Sequence, residues 1–515
     1  MKSRMLVICI LFLIGGCASL PPNTSKSTYA FRDTADTRMG NRYRELKSNH
    51  AEESGFFLLS NGLDAFTARA ILAQGADRSI DVQYYMIHND LTGLLFADQL
   101  LKAADRGVRI RLLIDDMDLD KRDEGLSTLA AHPNIHLRIF NPFSRHISRA
   151  PQFLFQFGSV TRRMHNKSFT VDNQATIVGG RNIGDEYFDA DPDFAFADLD
   201  ILAIGFVVKE VSDSFDEYWN SSLAYPIKVL RPDLTEKNDL EKGRKMLTEY
   251  IGQDSVSEYL QSLLNSRLAE TIRNDEVLWY WGEASVMADN PGKLESYDSD
   301  HAYTLSSKIT PFFENLDKEF LIFSPYFVPG KEGTKFLADL SKSGVRVRIL
   351  TNSLASTDVG VVHAGYAKYR TTLLRAGVEL YEMNKTLNRK ERKEKKGASG
   401  SSKASLHAKS FVFDREQVFI GSLNLDPRSI VENTEIGIMV TSKEVADILA
   451  GKFDMMIDKI AFRLELHTDE EGIEFIFWHG QEDGEERVWA ADPYTSFWRR
   501  LGIGLISLLP VESQL

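Results

Sequence analysis

The sequence predicts an α/β protein made of two duplicated halves that pack side by side, and three observations carry that expectation. An eighteen-residue pattern occurs twice, as His165-Asn166-Lys167 with Asp172, Gly179 and Asn182, and as His407-Ala408-Lys409 with Asp414, Gly421 and Asn424, each equivalent pair 242 residues apart. The stretch ahead of each copy repeats too: Arg106-Gly107-Val108-Arg109-Ile110-Arg111 matches Ser343-Gly344-Val345-Arg346-Val347-Arg348, a helix ending at glycine followed by a strand. Apolar runs alternate with amphipathic stretches such as 94–104 and 366–376, the pattern of a sheet flanked by helices. Histidine is scarce, 11 of 515 residues, so two matched copies of a histidine-centred template do not arise from composition.

In chain order, Lys2 and Arg4 precede an apolar run too short to span a bilayer, and Gly15 and Gly16 precede Cys17, which reads as a secretion signal over 1–16. Ile14-Gly15-Gly16-Cys17 resembles the bacterial lipobox, which implies cleavage before Cys17 and lipidation of that residue. By the same resemblance Ala18, in place of Asp, points to the outer membrane, facing the periplasm. Residues 17–54 are polar and read as a lipid-anchored tether. An N-terminal half is expected over 55–225, a helical connector over 226–275, a C-terminal half over 276–465 and an extension over 466–515.

Ser79-Ile80-Asp81-Val82-Gln83-Tyr84 parallels Leu321-Ile322-Phe323-Ser324-Pro325-Tyr326, again at a displacement of 242. His165 and Lys167 are two residues apart, as are His407 and Lys409, so on a strand each pair shares a face, an imidazole beside an ammonium as a phosphate requires. Asp172 and Asp414 sit in turn contexts suited to holding the turn. Gly179, Gly180, Gly421 and Ser422 follow the next strand, where missing side chains let backbone approach an anion while Asn182 and Asn424 donate hydrogen bonds. The first copy has Gly180 where the second has Ser422, so any hydroxyl contact to phosphate is one-sided. Residues 254–273 read as helical, and Trp279-Tyr280-Trp281 opens a strand as core. Residues 385–403 carry eight Lys/Arg against two Glu, a solvated loop or a basic strip for anionic headgroups. His363 and Tyr366 suit either a pocket wall or helix packing. The end of the chain sets Phe497, Trp498, Arg499 and Arg500 beside a Leu/Ile-rich stretch, either a membrane-interfacial segment or a terminal helix packed on the core.

The formal charge of −13 becomes −15 without Lys2 and Arg4, which argues against general nucleic-acid binding. Only Cys9 and Cys17 are present, so a mature chain starting at Cys17 has no pair for an intramolecular disulfide.

These residues together resemble the phospholipase D superfamily, whose His-x-Lys-x4-Asp motif (HKD) appears twice here, with the likeness running over about residues 58–440. Met164 to Asp172, Gly421-Ser422-Leu423-Asn424 with Asn433-Thr434-Glu435, and Asn352-Ser353-Leu354 look like its bacterial cardiolipin synthase C branch, a group of lipoproteins. The resemblance implies two pseudo-symmetric α/β/α halves packed face to face around one shared active site. It implies exchange through a phosphohistidine, with His165 as nucleophile and His407 as acid and then base, and no metal or other cofactor. Lys167, Lys409, Asn182 and Asn424 would surround the phosphate oxygens. Each histidine requires a carboxylate on its second nitrogen; Glu435 and Asp198 are the candidates, with Asp200 an alternative to Asp198. The implied reaction transfers a phosphatidyl group onto phosphatidylglycerol, making cardiolipin, with phosphatidylethanolamine a candidate donor. The competing readings are hydrolysis of phospholipid or nucleic acid, and an inactive lipoprotein that only grips headgroups.

Overall fold

The computed structural model describes residues 20–48, 50, 52–156, 158–191, 195–235, 239–274, 276–295, 304–385, 404–482 and 484–507. The leader, Cys17 and residues 386–403 of the basic segment lie outside the described residues.

Each half is a mixed sheet. In the first, strands Ser79–Tyr84, Arg109–Asp115 and Ile135–Phe140 run parallel, and Ser168–Val171, Ala175–Gly179, Asp200–Gly205 and Ser54–Leu59 continue antiparallel. The second half repeats this with Glu319–Phe323, Arg346–Asn352 and Glu379–Met383, then Ser410–Phe413, Gln417–Gly421, Ile436–Thr441 and Tyr280–Ala288. The repeated glycines do what their placement predicts: Gly107 and Gly344 follow helices Leu91–Asp105 and Gly330–Lys342 at φ of 94° and 106°, conformations only glycine adopts without strain.

The halves meet edge to edge and face to face. Ser54, Gly55 and Phe56 pair antiparallel with Gly282, Trp281 and Tyr280, joining both sheets into one of eighteen strands. A shared core sets Val178, Ile201 and Val207 of the first half against Ile420, Ile436 and Val445 of the second. Each such side chain contributes about 1.5–3 kcal/mol by leaving water, so the halves do not separate cheaply.

Three expectations need correction. Ile80 faces Val171, whereas Phe320 faces Phe413, so this strand is displaced by 320 − 80 = 240 residues and not 242; an even slip keeps the same side chains inward. The expected tether is docked from Leu20 onward: the Ala30 amide donates to Asp216 (3.1 and 3.0 Å), Trp219 Nε1 donates to Thr28 Oγ1 (2.8 Å), and helix Arg38–Ser48 buries Met39 and Tyr43. Its polarity did not prevent docking because buried side chains satisfy its backbone. The boundary at 465 cuts strand Ala461–Thr468, which extends the second sheet with Glu474–Glu482 and Glu485–Trp489. Of the connector, helices Asp254–Leu264 and Arg267–Arg273 pack Val256, Tyr259 and Leu268 into the first half, and Trp279 lies against the same core.

Candidate active site

Both His-x-Lys triplets lie immediately ahead of strands Ser168–Val171 and Ser410–Phe413, not within them, and each is clasped by the opposite half. Met164 forms a parallel bridge with Thr434, and the His165 amide donates to the Thr434 carbonyl at 2.8 Å. In the mirrored arrangement strand Ala404–Leu406 pairs with Ala195–Ala197, and the amides of His407 and Ala408 donate to the Ala197 carbonyl at 2.8 and 3.1 Å. These cross-half bonds bring two buried imidazoles from segments 242 residues apart into one site, close enough for His407 to act on the protonation of His165.

The supporting carboxylates are exchanged between the halves. His165 Nδ1 stands 3.0 and 2.9 Å from the two oxygens of Glu435, and His407 Nδ1 stands 2.6 Å from Asp198 Oδ2. Glu435 directly precedes strand Ile436–Thr441, and Asp198 lies just ahead of Asp200–Gly205. Asp200 takes no part, since its oxygens accept from Arg69 Nη2 (2.9 Å) and the Arg181 amide (3.2 Å). An imidazole held at Nδ1 is oriented to react through Nε2.

The two pairs differ electrostatically. Burial, then the charges of Lys167, Lys409, His407 and Arg428, hold His165 well below the ordinary histidine value. Burial pushes its partner Glu435 up to about 7. At Asp198 burial also acts upward, but His407, Lys409 and Arg181 outweigh it and keep the carboxyl below its usual range. His407 is lowered by burial and Lys409, with Asp198 opposing. The first pair is therefore held toward neutrality and the second keeps an ionised carboxylate.

Lys167 Nζ donates to the carbonyl of His165 (2.6 Å), and Lys409 Nζ donates to that of His407 and lies 2.9 Å from its Nδ1. Burial lowers the two ammonium groups to about 7 and about 8. Asn182 donates to the Tyr187 hydroxyl (2.9 Å), while Asn424 donates to Ser429 Oγ (3.5 Å) and its Oδ1 has no hydrogen-bond partner among the described residues. Two tyrosines not foreseen from sequence wall the site edge-on, Tyr85 at 5.0 Å from the His165 ring and Tyr187 at 5.2 Å from that of His407. The only signal for Tyr85 is its position just beyond a strand, and Tyr187 has none in the repeat because Ser429 stands at the equivalent place.

Several sequence candidates do other work. Asp172 and Asp414 hold the chain, as their turn contexts suggest, and do not join the histidines. At φ of 51° each accepts three backbone amides, of Asp77, Arg78 and Ser79 and of Asp317, Lys318 and Glu319. Gly179, Gly180, Gly421 and Ser422 do not cradle an anion through their backbone. The amides of Gly180, Gly421 and Ser422 donate to Leu199, Lys409 and Ile436 carbonyls, and a Cβ at Gly179 or Gly421 would strike the neighbouring strand. The Gly180/Ser422 difference instead matches the carboxylates: a Cβ at Gly180 would collide with Asp198, whereas Ser422 Oγ donates to Glu435. His363 accepts from Arg370 (2.7 Å) in a buried network with Asp492, and Tyr366 is buried against it, which is the helix-packing role.

Among the described residues, His88-Asp90-Glu186 and Glu465-His467-His479 each bring three possible cation ligands within 4.8 Å, and neither includes the paired histidines. A cavity of about 410 Å3 lined by Met39, Tyr43, Phe57, Leu72 and Trp279 also shares no residue with the site. No described helix is long and apolar enough to cross a membrane.

The family model described as "Cardiolipin synthase, PLD-like domain" matches residues 71–219 and 312–457. Cardiolipin synthase C of Escherichia coli strain K12 is 39% identical over 92% of this chain and 99% of its own length. An uncharacterized protein of Helicobacter pylori strain J99 is 33% identical over 96% of this chain and 97% of its own. Among solved structures, phosphatidylserine synthase of Haemophilus influenzae Rd KW20 shares the fold with a TM-score of 0.54 at 14% identity, covering 82% of this chain and 92% of that one.

Proposed function

The chain belongs to the phospholipase D-like cardiolipin synthase family, and on that premise we propose that it is a phosphatidyltransferase that moves a phosphatidyl group onto phosphatidylglycerol and so makes cardiolipin. The observation that carries the reading is the pair of buried imidazoles, each oriented by a carboxylate from the other half, in a chain related over almost its whole length to a cardiolipin synthase.

In the first step Nε2 of His165 attacks phosphorus, the bond from phosphorus to the donor's headgroup oxygen breaks, and that oxygen takes a proton from His407. In the second, the acceptor hydroxyl gives its proton to His407, its oxygen bonds to phosphorus, and the phosphorus–nitrogen bond breaks to restore His165. The site supports this division of labour. An imidazole held neutral is nucleophilic, and one facing an ionised Asp198 is the better host for a proton. Lys167 and Lys409 neutralise charge that builds on the phosphate oxygens, and Asn182 and Asn424 donate hydrogen bonds to them.

The proposal includes cleavage of 1–16, lipidation of Cys17 and attachment to the outer membrane facing the periplasm, where phospholipid is substrate and nucleic acid is not. Helix Phe497–Ser507 supports contact with a lipid surface: it buries none of its residues and exposes Phe497, Trp498, Leu501 and Leu505. Expression in a cardiolipin-free strain, with mass spectrometry of the lipids, tests the reading. Cardiolipin is expected with the full chain and absent with His165→Ala, whereas phosphatidic acid without cardiolipin would replace transfer by hydrolysis.

A further inference from the structure

The two halves differ most just outside the histidines. Beyond strand Ser79–Tyr84 the chain carries Tyr85 against His165 and, three residues on, His88. Beyond Asn182 a short turn, Asp185–Tyr187, carries Glu186 and then Tyr187, whose ring lies against His407. His88 Nδ1 is 3.3 Å from Glu186 Oε1 and 3.7 Å from Asp90 Oδ2, and its Nε2 is 3.4 Å from Asp118 Oδ2. Every one of the four side chains is partly exposed. Gly184 makes the group possible, because a Cβ there would stand 2.8 Å from His88 Nδ1 and 2.9 Å from Glu186 Oε2.

The second half has no counterpart. At the displacement of 242, Arg428 stands where Glu186 does and Asp426 where Gly184 does. At the displacement of 240 that the first strand follows, Val328 stands where His88 does, its amide donating to Leu425 as that of His88 donates to Ile183. Arg428 adds positive charge at His165, whereas His407 helps keep the Glu186 carboxyl ionised. The turn whose Tyr187 faces the His407 ring therefore carries a carboxylate, Glu186, where the second half carries a cation, Arg428.

We propose that His88, Asp90, Asp118 and Glu186 form the subsite for the headgroup alcohol of the acceptor, with the Glu186 carboxylate accepting hydrogen bonds from adjacent hydroxyls of a glycerol-type headgroup. This rests on the transfer reading above and names where its acceptor sits. An ionised carboxylate is acceptor-only and can take two neighbouring hydroxyls at once, and His88 and the flanking acids fix its direction. A site that hydrogen-bonds a hydroxyl discriminates against an alcohol lacking it, because its own polar group is then left unpaired.

The test uses the full-length protein with phosphatidylglycerol vesicles as donor and two soluble acceptors, deuterium-labelled glycerol and 1-propanol, in competition, so that the labelled phosphatidylglycerol formed is distinct in mass from the donor. Both phosphatidyl-alcohol products and phosphatidic acid are quantified by mass spectrometry. Wild type is expected to favour glycerol by about tenfold to a hundredfold, the worth of one charge-assisted hydrogen bond, and Glu186→Gln to bring the ratio to near one. Glu186→Asp, which keeps the charge, should retain part of the preference, and Glu465→Gln on a remote strand should leave it as in wild type. Phosphatidic acid, whose formation needs no acceptor alcohol, reports that each variant is folded. An unchanged preference in Glu186→Gln overturns the subsite. A preference lost on chelation and restored by a divalent cation also overturns it, assigning the cluster to a metal. If wild type yields only phosphatidic acid with either alcohol, the transfer reading itself has failed.

Discussion

His165 with Glu435 and His407 with Asp198 are the same device built twice, yet the copies are not electrically equal. Glu435 is the longer acid, approached by both of its oxygens and by the Ser422 hydroxyl, and burial raises it to about 7. Asp198 is shorter, sits in the space that Gly180 leaves, and stays ionised under the pull of His407, Lys409 and Arg181. Duplication supplied one scaffold, and a few substitutions around it made the two pairs electrically unequal, as the proposed division into a nucleophile and a proton carrier requires.

The largest effect expected is at the imidazoles. His165→Ala and His407→Ala should each lower kcat by about 10^4-fold or more with natural lipid, and the two should then part company. With a substrate whose leaving group needs no protonation, His407→Ala still completes the first step and accumulates a covalent phosphoryl adduct, seen as a mass increase of the intact protein. His165→Ala forms none. An adduct on His407 in His165→Ala would reverse the assignment.

The carboxylates come next. Asp198→Asn removes the charge that supports a protonated His407 and should cost about 10^3- to 10^4-fold in kcat. Glu435→Gln replaces an acid already held near neutrality by a neutral group of similar shape, and about a hundredfold or less is expected. Equal losses in steady-state assays would mean that the electrical difference between the pairs does not reach the reaction.

A smaller effect follows from the lysines. A lysine is charged below its pKa, so ammonium groups lowered to about 7 and about 8 are lost as pH rises, while His165, lowered well below its ordinary value, is already neutral there. The profile of kcat/KM should therefore begin to fall above about pH 7 and steepen above about pH 8, by no more than about tenfold per unit for each group. Lys409→Arg, which keeps its charge at any accessible pH, should remove the steeper part of this limb above about pH 8 and leave the single step of Lys167, even though its plateau is lower. A rate still rising at about pH 10 would exclude a role for the protonated lysines.

Much of this was legible in the sequence because duplication preserves spacing. The displacement of 242 located both histidines, both lysines and both asparagines, and the glycine-ended helices announced the α/β layers. The carboxylates were legible as candidates, but their exchange between halves was not, because periodicity describes one segment and says nothing of which copy faces which. The glycines misled for a related reason. Gly179 and Gly421 pair with Asp200 and Gly437 across a tight ladder, so the freedom read as room for an anion is used by a neighbouring strand. Polarity misled at residues 20–48, where the satisfying partners, such as Asp216, lie nearly two hundred residues away.

The smallest difference expected between the copies is one of stability alone. Asp172 and Asp414 close equivalent turns and each accepts three amides at the start of a strand, but Asp172 is fully buried and Asp414 only half so. Replacing Asp172 by Ala strands amides where water cannot reach them, costing about 2–4 kcal/mol; at Asp414 water substitutes, and about 1–2 kcal/mol is expected. Either change also places Ala at φ of 51°, where Asp is tolerated better, a cost common to both that cancels in the comparison. Urea unfolding midpoints measure the difference, and kcat per folded molecule should stay within about twofold of wild type, since neither carboxylate touches a histidine. A collapse of kcat in a still-folded Asp172→Ala protein would return that aspartate to the chemistry and make the third letter of the repeated motif catalytic after all.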